Sequence, residues 1–235
     1  MKIVIPSKGR PGVIGQKALR LFPDALVCVG ADEADAYAKV SNNLLVHPPE
    51  VTGIGPLRQW ILDNVEDRTV VMVDDDVRTI VSQVGFKARR FDDADTARAI
   101  VERLAILAED AGARVFGFYQ GGGPLNYSNA RPFSFNHWVG GLVGVVGREL
   151  RYDTSLILRA DIDFCLQSLL RDRIIMLDCR YCFIHTRFAG TGGNAVNRSS
   201  ERHAREIAYL LRKWGPYLDV VQAKGTTRLV VKVRR

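Results

Sequence analysis

Short apolar runs alternate with segments of helical spacing along the first half of the chain. Lys2–Ile5, Ala25–Val29 and Asn43–Val46 read as strands. Thr69–Val73 is almost wholly apolar, which fits a strand covered on both faces. Between them lie helical patterns at Val13–Leu21, at Ala31–Val40, and at Leu57–Val65, where Leu57, Ile61 and Val65 share a face. This βαβαβαβ order predicts an α/β fold, a mostly parallel central sheet flanked by helices.

The second half is less regular. A stripe of Ala97, Ile100, Val101, Leu104 and Leu107 predicts a helix within Asp92–Ala111, with Asp95 as its cap. Arg114–Phe118 reads as a strand. Next comes a loop rich in Gly, Asn, Ser and Pro, about Tyr119–Asn136, of a length that often marks function. Trp138–Val146 reads as a glycine-containing strand, Ala160–Leu170 as a helix and Ile174–Ile184 as one or two strands. A glycine-rich loop, Gly190–Asn194, precedes a basic amphipathic helix, Ser200–Trp214. Tyr217–Val221 and Thr227–Val233 are candidate late strands.

Length and composition then narrow the classes. The 235 residues, 47% hydrophobic and 25% charged, suit one folded domain and exclude disorder as the main state. The apolar stretch at Gly140–Gly147 is far short of the roughly 20 residues that span a bilayer. The N-terminal Met1–Ile5 breaks at Pro6, so no secretory leader is expected. Cys28 and Cys165 lie in apolar runs, and Cys179 and Cys182 form one C-x-x-C with no second pair. The four are read as thiols in a reducing, cytoplasmic setting rather than as a zinc site.

Charge is unevenly placed. Residues 1–179 hold 21 Lys and Arg against 23 acids, a balance of −2, whereas residues 180–235 hold 12 against 3, a balance of +9. Together these give the net +7. A basic final quarter is either a solvated surface or a docking face for a polyanion such as nucleic acid.

The densest candidate chemistry is Asp74-Asp75-Asp76, at the carboxyl end of the apolar strand. Open α/β sheets bind ligands at the carboxyl ends of their strands. Alternate carboxylates in extended chain project to one side and suit a divalent ion that also touches phosphate. The bland alternative is a solvated turn in which Asp caps a helix at Val77–Val81. A second cue is Pro6-Ser7-Lys8-Gly9-Arg10-Pro11 after the first strand, a hydroxyl and two cations around a flexible Gly; an ordinary turn accounts for it equally.

These residues carry a resemblance. Val4 to Pro11 resembles the opening of GT-A-fold glycosyltransferases, and Val71-Met72-Val73-Asp74-Asp75-Asp76 resembles their D-x-D strand end. Arg58 lies in the preceding helix, where the large inverting family-2 enzymes carry an Arg. Asp161-Ile162-Asp163-Phe164 is similar to their E-D-x-D-L segment, with Ala160 in place of its first acid. His185 follows a late strand, where many such folds complete a metal site. The resemblance spans roughly residues 2–190 and is greatest to the TET-associated glycosyltransferases of bacteriophages, a group thought to glycosylate hydroxymethylated pyrimidines in DNA.

The resemblance implies a single GT-A-like domain: residues 1–117 for nucleotide-sugar and metal, 118–190 for donor sugar and acceptor, and 191–235 for acceptor docking. It implies that Asp74, Asp76 and His185 hold Mn²⁺ or Mg²⁺. Pro6, Ser7, Lys8, Arg10, Arg58, Asp74 and Asp75 would hold a nucleotide-sugar, a UDP-sugar by expectation. Asp161 would be the general base of an inverting transfer, with Asp163 second in line. Trp138, Arg187, Arg198, Arg202 and Arg205 would face an acceptor, expected to be DNA bearing 5-hydroxymethylcytosine. The glycines at 121–123 would let the loop Gln120–Asn136 close over the donor. Three other readings stay open: the same fold acting on a glycan, lipid or protein; a related nucleotidyltransferase; and a non-enzymatic DNA-binding module.

Overall fold

A computed structural model describes residues 1–120, 127–185, 199–223 and 226–233. The strands are β1 (Lys2–Pro6), β2 (Leu26–Gly30), β3 (Leu44–His47), β4 (Thr69–Val73), β5 (Val77–Ser82), β6 (Arg89–Phe91), β7 (Val115–Phe118), β8 (Phe133–Ser134), β9 (Leu142–Val146), β10 (Met176–Asp178), β11 (Tyr181–His185), β12 (Leu218–Ala223) and β13 (Thr226–Val231). The helices are α1 (Pro11–Ile14), α2 (Ala18–Leu21), α3 (Ala34–Tyr37), α4 (Ile54–Asn64), α5 (Ala94–Asp110), α6 (Ala160–Arg171) and α7 (Ser200–Trp214).

An eight-stranded sheet runs β3-β2-β1-β4-β9-β7-β10-β8. β1, β2, β3 and β4 are mutually parallel, as are β7 and β10; β9 lies antiparallel between β4 and β7, and β8 antiparallel at the edge. Two smaller sheets, β11-β5-β6 and β12-β13, complete the strands.

Two-residue alternation explains why the central strands are apolar throughout. Ile3, Ile5, Val71 and Val73 join one buried cluster with Ala97, Ile100, Val101 and Leu104 of α5. Val4, Val70 and Met72 join a second with Ile61 and Leu62 of α4, Phe164 and Leu166 of α6, and Leu210 of α7. Each face thus receives every other residue and is covered by helices. The mostly parallel central sheet predicted from the sequence is present, with β9, from residues beyond 118, inserted beside β4.

Several elements differ from those the sequence predicts. The helix expected over Val13–Leu21 is broken at Gly15–Lys17 into α1 and α2, with Lys17 at φ −127° and ψ −99°. Ala31–Val40 keeps only the short α3. The cap of α5 is Asp93, whose carboxylate accepts from the Thr96 amide at 2.8 Å, rather than Asp95. Val77–Val81 is no helix: it pairs with β11 and β6, and its β-branched residues favour the sheet. Ile174–Ile184 divides into β10 and β11, which belong to different sheets.

The four cysteines are free thiols. Burial pushes the pKa of Cys28 and Cys165 up to about 12, so both are neutral and inert near pH 7. Among the described residues no helix is long and apolar enough to cross a membrane.

Candidate active site

β1 and β4 are neighbours in parallel register, with Val4 opposite Met72, so the chain leaving β1 meets the chain leaving β4. There Ser7 Oγ donates to Asp75 Oδ2 at 2.6 Å and Arg10 Nη1 donates to Asp75 Oδ1 at 2.8 Å. The Tyr37 hydroxyl, 2.7 Å from Ser7 Oγ, accepts from the Arg10 amide at 2.9 Å. Ser7 has spent its proton on Asp75, so Tyr37 donates to Ser7. Burial pushes the Asp75 pKa up, and Ser7 and Arg10 pull against that rise. The middle acid of the triplet thereby ties the loop after β1 to the end of β4.

The outer acids face another way. Asp74, Asp76 and His185 each present a ligand atom, all within 4.8 Å of one another, and they form the one such cluster among the described residues. His185 Nδ1 lies 3.0 Å from Asp76 Oδ1 and 4.0 Å from Asp74 Oδ2. The antiparallel pairing of β11 with β5 sets His185 opposite Val77, the residue after Asp76. Gly141, at φ +73°, makes room for the imidazole, because a Cβ there would collide with its ring; its carbonyl accepts from the Asp74 amide at 2.8 Å. Burial raises the pKa of Asp74, Arg58 and His185 counter that, and Asp76 adds to it. Two carboxylates and an imidazole at this spacing fit a divalent cation.

Behind this cluster is Arg58, only 4% exposed, donating from Nη2 to Asp74 Oδ1 at 3.3 Å. Burial works against its cation, but Tyr152, Asp74 and Asp161 outweigh burial and leave the pKa raised. Gly55, one turn earlier in α4, permits the approach: a Cβ there would stand 2.9 Å from that of Ala160, at the start of α6. Asp161, next in the chain, therefore lies within electrostatic reach of the same buried guanidinium that Asp74 pairs with. Burial raises the Asp161 pKa, Arg58 and the Ile162 amide lower it, and Asp74 raises it again.

Asp163 points elsewhere. It is fully buried, accepting from Trp214 Nε1 at 2.7 Å and Gln167 Nε2 at 2.8 Å, with Lys213 Nζ at 2.7 Å. Two residues along a helix turn the side chain about 200°, so the expected second base is instead a tether to α7. A second tether is Glu206, 6% exposed, whose carboxylate accepts from the amides of Ile157, Leu158 and Arg159. It holds the chain entering α6, whose N-cap residue Arg159 offers no side-chain cap of its own.

The remaining expected residues are scattered. Pro6 is buried in β1, Lys8 is exposed, and half-buried Trp138 lies with its ring edge against Gly140. On α7, Arg202 is half-buried and Arg205 exposed. Arg187 and Arg198, the Gly190–Asn194 loop and the glycines at 121–123 fall outside the described residues. Sequence reasoning missed Tyr37, Glu206 and Gln120, whose Nε2 donates to the Gly140 carbonyl. Glu206 did leave a trace, a lone mid-helix acid in a basic amphipathic pattern; Tyr37 and Gln120 left none.

Comparisons with known proteins agree with this architecture. No curated protein matches the sequence. Among solved structures, the chain is similar to glucosyl-3-phosphoglycerate synthase from Mycobacterium tuberculosis in complex with Mg²⁺ and UDP, at 12% identity and TM-score 0.53, covering 98% of this chain and 86% of that one. It is similar to mannosyl-3-phosphoglycerate synthase from Rubrobacter xylanophilus at 16% identity and TM-score 0.51, covering 100% and 86%. It is also similar to S. aureus TarS 1–349 in complex with UDP-GlcNAc, at 15% identity and TM-score 0.52, covering 90% and 67%. In two further TarS structures the chain spans only 60% and 37% of the partner's length. At these identities the likeness establishes the GT-A fold. The sequence profile of one family covers residues 1–193, taking in the acid triplet, Arg58, Asp161 and His185, and with it the chain belongs to the TET-associated glycosyltransferases.

Proposed function

We propose that this protein transfers a sugar from a nucleotide-sugar, a UDP-sugar, to the hydroxymethyl group of 5-hydroxymethylcytosine in DNA, with inversion at the anomeric carbon. The observation that carries this reading is the pairing, across buried Arg58, of a metal-ligand cluster with one separate carboxylate, Asp161. A single carboxylate apart from the ligand set suits one displacement; a double displacement needs a second, nucleophilic carboxylate, and Asp163 is committed to Lys213 and Trp214.

Asp74, Asp76 and His185 would hold Mn²⁺ or Mg²⁺. When bound, such an ion neutralises the diphosphate leaving group. The loop Pro6–Arg10, with Asp75 and Arg58, would grip the nucleotide. Asp161 takes the proton of the acceptor hydroxyl as its oxygen bonds to the anomeric carbon and the bond from that carbon to the diphosphate breaks. Its place in the first turn of α6 favours the ionised form against the rise that burial causes. Trp138 lies beside the acceptor path, and the basic segment 191–235, through Arg202 and Arg205, would hold DNA phosphates; Arg187 and Arg198 would add to that grip. Support for the donor comes from UDP and Mg²⁺ in a protein of similar fold, and for the acceptor from the family.

The test is transfer of radiolabelled sugar from UDP-sugars, with Mn²⁺, to DNA with or without 5-hydroxymethylcytosine. Label on the modified DNA alone is the expected result. Label on lipid or peptide alone, or nucleotide in place of sugar, overturns the reading. Asp161→Asn is expected to retain donor binding and lose at least 100-fold in turnover; undiminished turnover would remove Asp161 as base.

A further inference from the structure

The β5–β6 hairpin ends in a feature with no use inside the protein. Phe86 is 105% exposed, as free of contacts as an isolated residue, and Val84 beside it is 46% exposed. Lys87, Arg89 and Arg90 follow, all exposed, and none forms an ion pair among the described residues. From Val77 to Phe91 the chain carries four cations and no acid. The nearest acids in sequence are engaged: Asp92 pairs with Arg20 at 3.4 Å, and Asp93 caps α5. An isolated exposed apolar residue means little. A protruding aromatic framed by unneutralised cations matches the two features of a nucleic-acid strand, stackable bases and a phosphate backbone.

The hairpin is also fixed to the candidate site. β5 begins one residue after Asp76, and its partner β11 ends at His185. Six strand residues at about 3.3 Å each place the tip roughly 20 Å from that pair, or about six base pairs along a duplex. We infer that the β5–β6 hairpin is a nucleic-acid-contacting arm, with Phe86 stacking on or wedging between bases and Lys87, Arg89 and Arg90 on phosphates, about six base pairs from the reacting base. This rests on the DNA-acceptor reading and adds the element that grips flanking DNA. A bilayer is the less favoured partner, since Phe86 and Val84 alone bury little apolar area.

The experiment is fluorescence anisotropy with a labelled 30-base-pair duplex, with and without a central 5-hydroxymethylcytosine, across a salt series. Phe86→Ser is expected to weaken binding about 10-fold with an unchanged melting temperature, because the ring touches nothing in the folded protein. Replacing Lys87, Arg89 and Arg90 by Gln is expected to reduce the log–log salt slope by about 2 to 3. With flanks shorter than four base pairs, wild type and Phe86→Ser are expected to bind alike. If the wild type binds and glycosylates the long duplex and the variants match it, the arm is refuted while the acceptor reading stands. If the wild type binds no DNA, both fall. If Phe86→Ser weakens binding to phosphatidylserine vesicles but not to DNA, the arm is a membrane contact and the inference is overturned.

Discussion

Glu206→Gln isolates the grip of α7 on the helix that carries Asp161. The carboxylate takes three amides: Ile157 at 3.0 Å to Oε1, Leu158 at 3.2 and 3.0 Å to the two oxygens, and Arg159 at 3.0 Å to Oε2. Hydrogen bonds to a charged acceptor contribute about 1.5–3 kcal/mol each. Gln keeps the shape and one oxygen, so two amides retain an acceptor. The new NH₂ then faces the remaining amide, donor against donor. Losing one to two charge-assisted bonds amounts to about 3 kcal/mol, within the range for breaking a buried charged contact. In a chain of this size each kcal/mol moves the melting temperature by roughly 2–4 °C, so the variant is expected to melt about 6–12 °C lower. Differential scanning calorimetry at pH 7 reads this directly. A melting temperature within about 2 °C of wild type would show that the carboxylate does not hold this backbone, and the assignment of α7 as a tether of α6 would fail.

Two further outcomes follow from the electrostatics. Arg58→Met removes the cation that lowers the Asp161 pKa, so the acid limb of the kcat/KM profile, already above the ordinary carboxylate value, is expected to move to still higher pH; an unmoved limb would separate Arg58 from Asp161. Asp74, Asp75 and Asp161 all have raised pKa values in the fold, so in metal-free protein their contribution to stability is full below their ordinary value of 3.8 and is lost as pH rises through the raised ones. Mn²⁺ at 100 times its Kd is therefore expected to add about 2.7 kcal/mol at pH 7 and to do nothing for Asp76→Ala. Equal melting temperatures with and without the ion would count against Asp74, Asp76 and His185 as its ligands.

The central sheet and the acid cluster at the end of β4 are legible without coordinates. A strand covered on both faces must be apolar at every position, so β4 shows its burial in one dimension, and three acids directly after such a strand stand out without coordinates. Order and spacing of short motifs were enough for the family, whose profile spans residues 1–193. What one dimension lacks is direction. Asp161 and Asp163 are equivalent as letters, yet the helix turns one to Arg58 and the other to Lys213 and Trp214. Alternation separates Asp75 from Asp74 and Asp76, but only adjacent strands bring Ser7 and Arg10 beside Asp75, and His185 beside Asp76. Val77–Val81, read from the sequence as an Asp-capped helix, is a strand, because its hydrogen-bond partner lies 100 residues away in β11. The hold of Glu206 on three distant amides is beyond any local pattern for the same reason: periodicity reports what a residue's own element needs, and only the packed chain brings a carboxylate to backbone that its own helix does not contain.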